Sequence, residues 1–167
     1  MIEHFIGKYY FLSNAAITDI EIDDLLFKSA ESALYSYMDL DRQLEFLKLN
    51  AVEARKLSEE IEPREAWDEE RDHILYRILR AKFEQNEGMY KKLLETEGKE
   101  LVFNNIAGDT YLGVYKGEGK NLLGRTLTLI RDYFIQEEKL KKIISEQAYD
   151  PIYEKYLELL TQSDAGE

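Results

Sequence analysis

The segment that decides the fold is Arg64–Gln85, whose sequence is REAWDEERDHILYRILRAKFEQ. Pro63 precedes it, and a helix tolerates proline there because the first-turn N–H groups have no partner inside the helix. The apolar residues of the segment recur at intervals of three and four, the spacing of one helix face. They are Trp67, Ile74, Leu75, Ile78, Leu79 and Phe83. We therefore predict a long amphipathic helix whose apolar face lies in the core.

A short β-hairpin is predicted over residues 17–27. Ile20 and Ile22 alternate with acidic residues, and the pair Asp23-Asp24 suits the turn between two strands. Leu25 to Phe27 is predicted to form the returning strand.

Further helices are predicted on both sides of the long helix. Ser29 is a candidate N-cap for the first of them, and Asn50 with Glu53 has the pattern of a capping box at the start of another. A short strand is predicted at Leu101–Phe103. The other predicted segments are helices over 29–38, 41–49, 88–94 and 121–136, a glycine-rich loop over 113–120, and two tail helices separated by Asp150-Pro151.

The composition fits one folded domain, because the 167 residues are 44% hydrophobic and 34% charged. Many helical and few strand segments predict a mostly helical α+β domain over 1–135, with a helical extension over 136–167 packed on it. No apolar run reaches the length of a membrane span, and the N-terminus lacks the pattern of a signal peptide. A cytoplasmic protein is therefore expected.

The net charge of −12 limits the classes of ligand. An acidic surface repels the phosphates of a long nucleic acid, but a small phosphorylated ligand can still bind in a local basic pocket. Cysteine is absent, and the two histidines, His4 and His73, are far apart in sequence. No disulfide, zinc site or cofactor is therefore expected. An all-carboxylate metal site stays open without any motif to support it, and so does the oligomeric state.

Several motifs allow two interpretations when each is taken alone. The loop Gly117–Asn121 lacks Walker A spacing and a magnesium-binding Ser or Thr, so it is either an ordinary turn or a ligand-contacting loop. Arg80 and Lys82 fit a solvated helix face. Trp67 is either a core residue or an aromatic surface on which a base stacks. Glu31 has two possible roles. It is either a structural residue of the first helical turn, where the helix dipole favours a carboxylate, or a carboxylate that acts at the C1 atom of a sugar.

Taken in order, these motifs resemble those of the YbiA/NADAR family. The resemblance covers about residues 9–135 and rests on the order and spacing of short motifs rather than on one decisive motif. The motifs are Phe11-Leu12-Ser13-Asn14, Ser29-Ala30-Glu31, Arg64-Glu65-Ala66-Trp67, Arg80-Ala81-Lys82-Phe83-Glu84-Gln85, Leu93-Leu94-Glu95-Thr96, Glu100-Leu101-Val102, Asp109-Thr110-Tyr111-Leu112-Gly113 and Gly119-Lys120-Asn121-Leu122-Leu123-Gly124.

The resemblance implies a YbiA-like fold with a pocket for N-glycosides of ribose phosphates. Members of the family hydrolyse N-glycosidic bonds, including those of ribosylamino phosphates of the early riboflavin pathway and of ADP-ribose attached to guanine. By the same resemblance, Glu31 and Asp109 are the predicted catalytic acidic residues. Ligand contact, or local scaffolding of the pocket, is expected at Ser13, Asn14, Trp67, Arg80, Lys82, Tyr111, Lys120 and Asn121.

The chain departs from the family pattern close to the inferred chemistry. Ser32 replaces a histidine after Glu31, and Met38 replaces a lysine seven residues after it, a spacing that shares one helix face. A lysine can form a Schiff base with the opened sugar C1, which a thioether cannot do. Leu112 replaces the tryptophan of the D-x-[YF]-W-G motif, and Phe103 replaces a glutamate.

These departures favour a protein that binds an N-ribosylated or ADP-ribose-like nucleotide with little or no turnover. Sequestration of a nucleotide signal, as a phage anti-defence sponge in the host cytoplasm, is one hypothesis that follows. Two alternatives stay open. One is an active N-glycosidase in which Glu31 and Asp109 act with water. The other is a partner-binding module whose helical tail is the interaction surface.

Overall fold

The computed structural model describes residues 1–148 and 150–165. Its described part is mostly helical and contains one two-stranded antiparallel sheet, which confirms the predicted fold class. The strands are β1 (Ile20–Ile22) and β2 (Leu25–Phe27), and 3₁₀ helices form at Gly7–Leu12 and Leu40–Phe46. The α-helices are α1 (Ala30–Ser36), α2 (Ala51–Ser58), α3 (Trp67–Glu84), α4 (Glu87–Leu94), α5 (Leu122–Ala148) and α6 (Pro151–Ala165).

The β-hairpin forms within the predicted residues. Asp23 and Asp24 have φ angles of 51° and 63°. A two-residue type I′ turn requires such left-handed values, and aspartate tolerates them better than most residues do. Ile20 pairs with Phe27, and both side chains are fully buried. The predicted hairpin is confirmed, and it contributes one apolar face to the core.

Both predicted helix caps are formed. The Ser29 hydroxyl accepts a hydrogen bond of 3.0 Å from the Ser32 N–H at the start of α1. Asn50 and Glu53 exchange side-chain to backbone hydrogen bonds of 2.9 and 3.3 Å at the start of α2, which completes the capping box. Each cap satisfies N–H groups that the first helical turn leaves without an intrahelical partner.

Helix α3 carries the predicted apolar face. The side chains of Ile78, Leu79 and Phe83 are fully buried, and α3 contacts α1, α4 and β1. Burial of one such side chain contributes about 1.5–3 kcal/mol relative to exposure, so this face stabilises the helix more than intrinsic propensity does. The helix starts at Trp67 rather than at Arg64, because the Trp67 N–H closes a tight turn on the Arg64 carbonyl at 3.0 Å.

The predicted strand at Leu101–Phe103 is wrong. Leu101 forms only an isolated parallel bridge with Ile2. The Asn121 side chain forms hydrogen bonds with the backbone of this segment. Its Oδ1 accepts a hydrogen bond of 2.9 Å from the Phe103 N–H, and its Nδ2 donates one of 2.9 Å to the Leu101 carbonyl. A side-chain amide thus makes the bonds that a neighbouring strand would otherwise make.

The predicted helix boundary near residue 136 is also wrong. Helix α5 continues from Leu122 to Ala148, because no glycine or proline interrupts it after Gly124. The predicted break at Asp150-Pro151 is confirmed. Asp150 Oδ1 accepts a hydrogen bond of 3.0 Å from the Ile152 N–H, as an N-cap does, and α6 begins with Pro151 in its first turn.

The chain divides into two compact units, Met1–Asp132 and Tyr133–Glu167. Tyr149, Gly166 and Glu167, which belong to the predicted extension, lie outside the described residues. The packing of that extension on the rest of the chain stays a prediction. Within 1–148 and 150–165, no helix combines the length and the apolar character needed to cross a membrane.

Candidate functional site

A cleft in the first unit consists of two adjacent cavities, each of about 220 Å³. We call one the acidic chamber, because Glu31, Asp109 and their neighbour Arg55 line it. We call the other the aromatic chamber, because Trp67 and Tyr111 line it. Four residues belong to the walls of both chambers, namely Leu34, Tyr35, Asp109 and Leu112.

Glu31 is a buried carboxylate that is held in place by two neighbours. One of its oxygens, Oε1, accepts hydrogen bonds from Arg55 Nε at 2.9 Å and Nη2 at 2.7 Å, and from the Tyr35 hydroxyl at 3.3 Å. Burial, together with the charge of Glu31, raises the pKa of Tyr35 to about 12, so the phenol remains a donor at neutral pH. The Arg55 charge offsets the cost of removing this carboxylate from water.

Asp109 is fixed in the loop before α5. Its Oδ1 accepts hydrogen bonds from the N–H groups of Tyr111 at 2.9 Å and Leu112 at 2.8 Å. Asn105 holds the Asp109 backbone through its side-chain amide, with bonds of 2.9 and 2.8 Å. No described residue makes a hydrogen bond to Asp109 Oδ2. That oxygen remains available to a ligand or a water molecule.

Ser13 and Asn14 lie in the wall of the acidic chamber. Asn14 is 7% exposed, and its Oδ1 is buried without a hydrogen-bond partner among the described residues. A buried polar atom without a partner costs free energy, which a bound hydroxyl or amine would recover.

Trp67 is 8% exposed and still lines the aromatic chamber. Its two interpretations, core residue and cleft residue, are therefore compatible. Tyr111 lies in the same chamber, and its hydroxyl donates a hydrogen bond to Asp72. Lys120 contacts the Tyr111 ring, with its Nζ 4.8 Å from the ring centroid, but does not itself line the chamber.

The family of the chain follows from residues 4–135, which match the family model described as the NADAR domain. The chain belongs to the NADAR domain family. It is 30% identical over 132 residues to the protein named N-glycosidase YbiA of Escherichia coli (strain K12), an alignment that covers 75% of this chain and 82% of that relative. Identity and coverage are the same for N-glycosidase YbiA of Shigella boydii serotype 4 (strain Sb227).

A solved structure supports the same assignment. The NADAR fold described above matches the NMR structure of the Escherichia coli protein YbiA with a TM-score of 0.73 and 26% sequence identity. The match covers 83% of this chain and 87% of that chain. Both the helical core and the single hairpin therefore belong to a known architecture.

Three predicted ligand positions of this NADAR domain lie away from the cleft. Arg80 bonds Glu84 at 2.6 Å and the Tyr76 hydroxyl at 3.1 Å along its own helix. Lys82 is fully buried behind the Ser13–Asn14 wall rather than exposed on a helix face. Asn121 binds backbone groups, as described above. These placements favour local scaffolding at the three positions, and direct ligand contact there stays an untested prediction.

The departures from the NADAR pattern have different surroundings. The Ser32 side chain is fully buried and donates a hydrogen bond of 2.6 Å to the Phe46 carbonyl, so it lies away from the cleft. Met38 lines the aromatic chamber rather than the acidic one, because α1 ends at Ser36 and the predicted shared face with Glu31 does not continue to residue 38. Leu112 lines both chambers and Phe103 lines the acidic one, so three of the four departures change the cleft wall itself.

The glycine-rich loop before α5 is tightly packed against itself. A Cβ at Gly119 would lie 2.2 Å from the Gly113 carbonyl oxygen, and one at Gly113 would lie 2.3 Å from that of Phe103. Tyr115 and Glu118 exchange backbone hydrogen bonds of 2.8 and 3.1 Å across the turn. These close approaches explain the glycines and favour the ordinary-turn interpretation over a phosphate loop.

Sequence reasoning missed five polar residues of the cleft, one of which is Ser58 in the wall of the aromatic chamber. Tyr35 is four residues after Glu31, and Arg71 is four residues after Trp67, so the i, i+4 rule of helix faces gave a usable signal for both. Arg55 and Asn105 reach the acidic chamber from separate segments, for which the sequence offers no comparable signal.

Metal-ligating residues do not converge in the part of the chain that the structure describes. No group of three or more His, Asp or Glu side chains there has a suitable arrangement for a metal ion.

Proposed function

We propose that this NADAR domain binds an N-glycoside of a phosphorylated ribose, of the N-ribosyl nucleotide or ADP-ribose kind, and hydrolyses it slowly or not at all. One observation carries the proposal. Glu31 lines the acidic chamber and Met38 lines the aromatic chamber, whereas Asp109 and Leu112 line both. Carboxylates suited to a ribosyl group are thus retained next to apolar side chains at the positions of the family's lysine and tryptophan.

The groups that face the cleft match the parts of such a ligand. Asp109 Oδ2 and the unpartnered Asn14 Oδ1 are acceptors for ribose hydroxyls. Trp67 and Tyr111 offer aromatic surface for a base. These features support binding in a position where the sugar is close to both carboxylates.

Slow turnover follows from the pairing of Glu31 with Arg55 and from the side chain at position 38. Cleavage of an N-glycosidic bond develops positive charge on the sugar, which an unpaired carboxylate stabilises. Arg55 places a positive charge directly on Glu31, so the pair provides less stabilisation than a lone carboxylate does. The Met38 thioether supplies neither a nucleophile nor a proton. Retention of the ligand, and hence its sequestration, is the outcome that we expect.

A working N-glycosidase is the second candidate function, and one observation favours it. Asp109 is oriented by two backbone N–H groups while its Oδ2 is free of described partners. An oriented carboxylate of this kind can activate a water molecule for attack on the sugar C1. Glu31 would then stabilise the developing charge.

Binding and base release separate the two functions. The full chain is mixed with ADP-ribosylated guanine or with a ribosylamino pyrimidine phosphate, affinity is measured by calorimetry, and the released base is measured by chromatography. We expect stoichiometric binding, with base release that does not exceed the amount of protein. Multiple-turnover release that Asp109→Asn abolishes would overturn this proposal and establish the glycosidase.

A further inference from the structure

Arg71 lies in the wall of the aromatic chamber, one helical turn after Trp67. Its guanidinium carbon is 3.5 Å from the centroid of the Tyr111 ring. A guanidinium stacked on an aromatic face is held in one plane, while the N–H donors at its edge stay directed outward. The contact with the ring therefore holds the Arg71 guanidinium in one orientation.

The donors of Arg71 are poorly satisfied. Its Nε is buried and meets no hydrogen-bond partner among residues 1–148 and 150–165. Its ion pair with Asp68 has an N–O distance of 3.7 Å, too long for a hydrogen bond, and the Asp68 side chain is 83% exposed. A buried guanidinium donor without a partner is a cost that an anion in the chamber would remove.

A second cation contacts the same ring. Lys120 Nζ lies 4.8 Å from the Tyr111 centroid, and the Tyr111 hydroxyl is fixed by Asp72. In a chain with a net charge of −12, these two cations place positive charge at the edge of the cleft. Asp68 and Asp72 reduce this positive charge without bonding the Arg71 Nε.

We propose that Arg71, oriented by Tyr111 and assisted by Lys120, binds the phosphate of the ligand. The inference rests on the proposed function and deepens it, because it selects ribose phosphates over unphosphorylated ribosides. Asp109 belongs to both chambers, so a ligand whose phosphate contacts Arg71 places its ribose beside that carboxylate. A guanidinium can bind a phosphate through two parallel hydrogen bonds.

The test compares ribose 5-phosphate with ribose as probes, using calorimetry and the emission of Trp67. We expect the wild-type chain to bind ribose 5-phosphate more tightly than ribose. Arg71→Met should weaken ribose 5-phosphate binding by about tenfold to a hundredfold, the range for loss of a charged hydrogen bond, and leave ribose binding unchanged. Lys120→Met should cause a smaller loss.

The matched control is Lys116→Met, because Lys116 also contacts a tyrosine ring, at 5.1 Å from the Tyr115 centroid, but lies outside both chambers. It should bind ribose 5-phosphate like the wild type. If Arg71→Met fails to fold, Arg71→Lys is used, which keeps the charge but loses the planar fork and should still lose most of the affinity.

Equal affinity of the wild type for both probes, no binding of ribose 5-phosphate, or full affinity in a folded Arg71 variant would each overturn the inference. The proposed function is judged by a different readout, base release from ADP-ribosylated guanine. Its failure and the failure of the phosphate site are therefore distinguishable.

Discussion

The ammonium group of Lys82 donates a hydrogen bond of 2.9 Å to the backbone oxygen of Ser13, although the Lys82 side chain is fully buried. Ser13 and Asn14 form part of the acidic chamber. A residue from α3 thus supports the cleft wall from behind. Burial lowers the pKa of Lys82 from its ordinary value of 10.5 to about 7, because the charged form loses its hydration.

This burial predicts a dependence of stability on pH. Between about pH 7 and 10.5 the unfolded chain keeps the Lys82 proton while the folded chain loses it. The free energy of unfolding should therefore rise with pH in this window, by up to about 1.4 kcal/mol per pH unit. Urea unfolding of the wild type and of Lys82→Met, compared at each pH, measures the difference. Lys56→Met, at an exposed lysine, is the control, and a parallel pH profile for Lys82→Met would contradict the prediction.

The Glu31–Arg55 pair should respond asymmetrically to substitution. Arg55→Met leaves a buried carboxylate without its counter-charge and should lower the free energy of unfolding by about 1–3 kcal/mol. Glu31→Gln retains an acceptor for Arg55, whose side chain is 55% exposed and can turn to water, so the melting temperature should change little while ligand affinity changes. Arg42→Met, which breaks the exposed pair with Glu45, is the control. Larger destabilisation by Glu31→Gln than by Arg55→Met would contradict this prediction.

A Met38→Lys variant should form an imine with the C1 aldehyde of an opened sugar, which the wild-type chain cannot do at this position. Met38 is half-buried in the aromatic chamber, so a Met38→Lys amine has access to a ligand there. Condensation with the C1 aldehyde forms an imine and releases water, and borohydride reduction makes the adduct permanent for detection by mass spectrometry. Met89→Lys, in α4 and outside both chambers, is the matched control. Equal labelling of the two variants, or none of Met38→Lys, would show that position 38 does not approach the sugar carbon.

Trp67 is expected to report on the ligand directly. It is the only tryptophan of the chain and lines the aromatic chamber. Stacking of a base on an aromatic side chain is worth about 1–3 kcal/mol, so Trp67→Phe should weaken binding of ADP-ribosylated guanine by about tenfold to a hundredfold. The variant should fold, because phenylalanine keeps much of the apolar volume. Unchanged emission on titration, together with unchanged affinity of Trp67→Phe, would restrict this residue to the core.

Local elements of the fold were predictable from the sequence because their causes are local. The apolar spacing within α3, the Asp23-Asp24 turn, and the caps at Ser29 and Asn50 each involve residues a few positions apart. The strand at Leu101–Phe103 failed because its partner is the Asn121 side chain, and such a contact has no signature in the pattern of neighbouring residues.

The residues of the cleft also divide into those predictable from the sequence and those placed by tertiary contacts. The sequence by itself determined the family pattern, the presence of Glu31 and Asp109, and the apolar substitutions at Met38 and Leu112. Only the tertiary structure decided which of these groups face one cavity and what partners they have. Arg55 neutralises Glu31 from 24 positions away.

The positions of Arg71 and Lys82 also depend on contacts between segments that are distant in sequence. Arg71 stacks on Tyr111 from a different element, and Lys82 lies behind the cleft wall rather than in it. Contacts between distant segments depend on how the apolar faces pack together, and that packing fixes distances and burial that residue spacing along the chain does not encode.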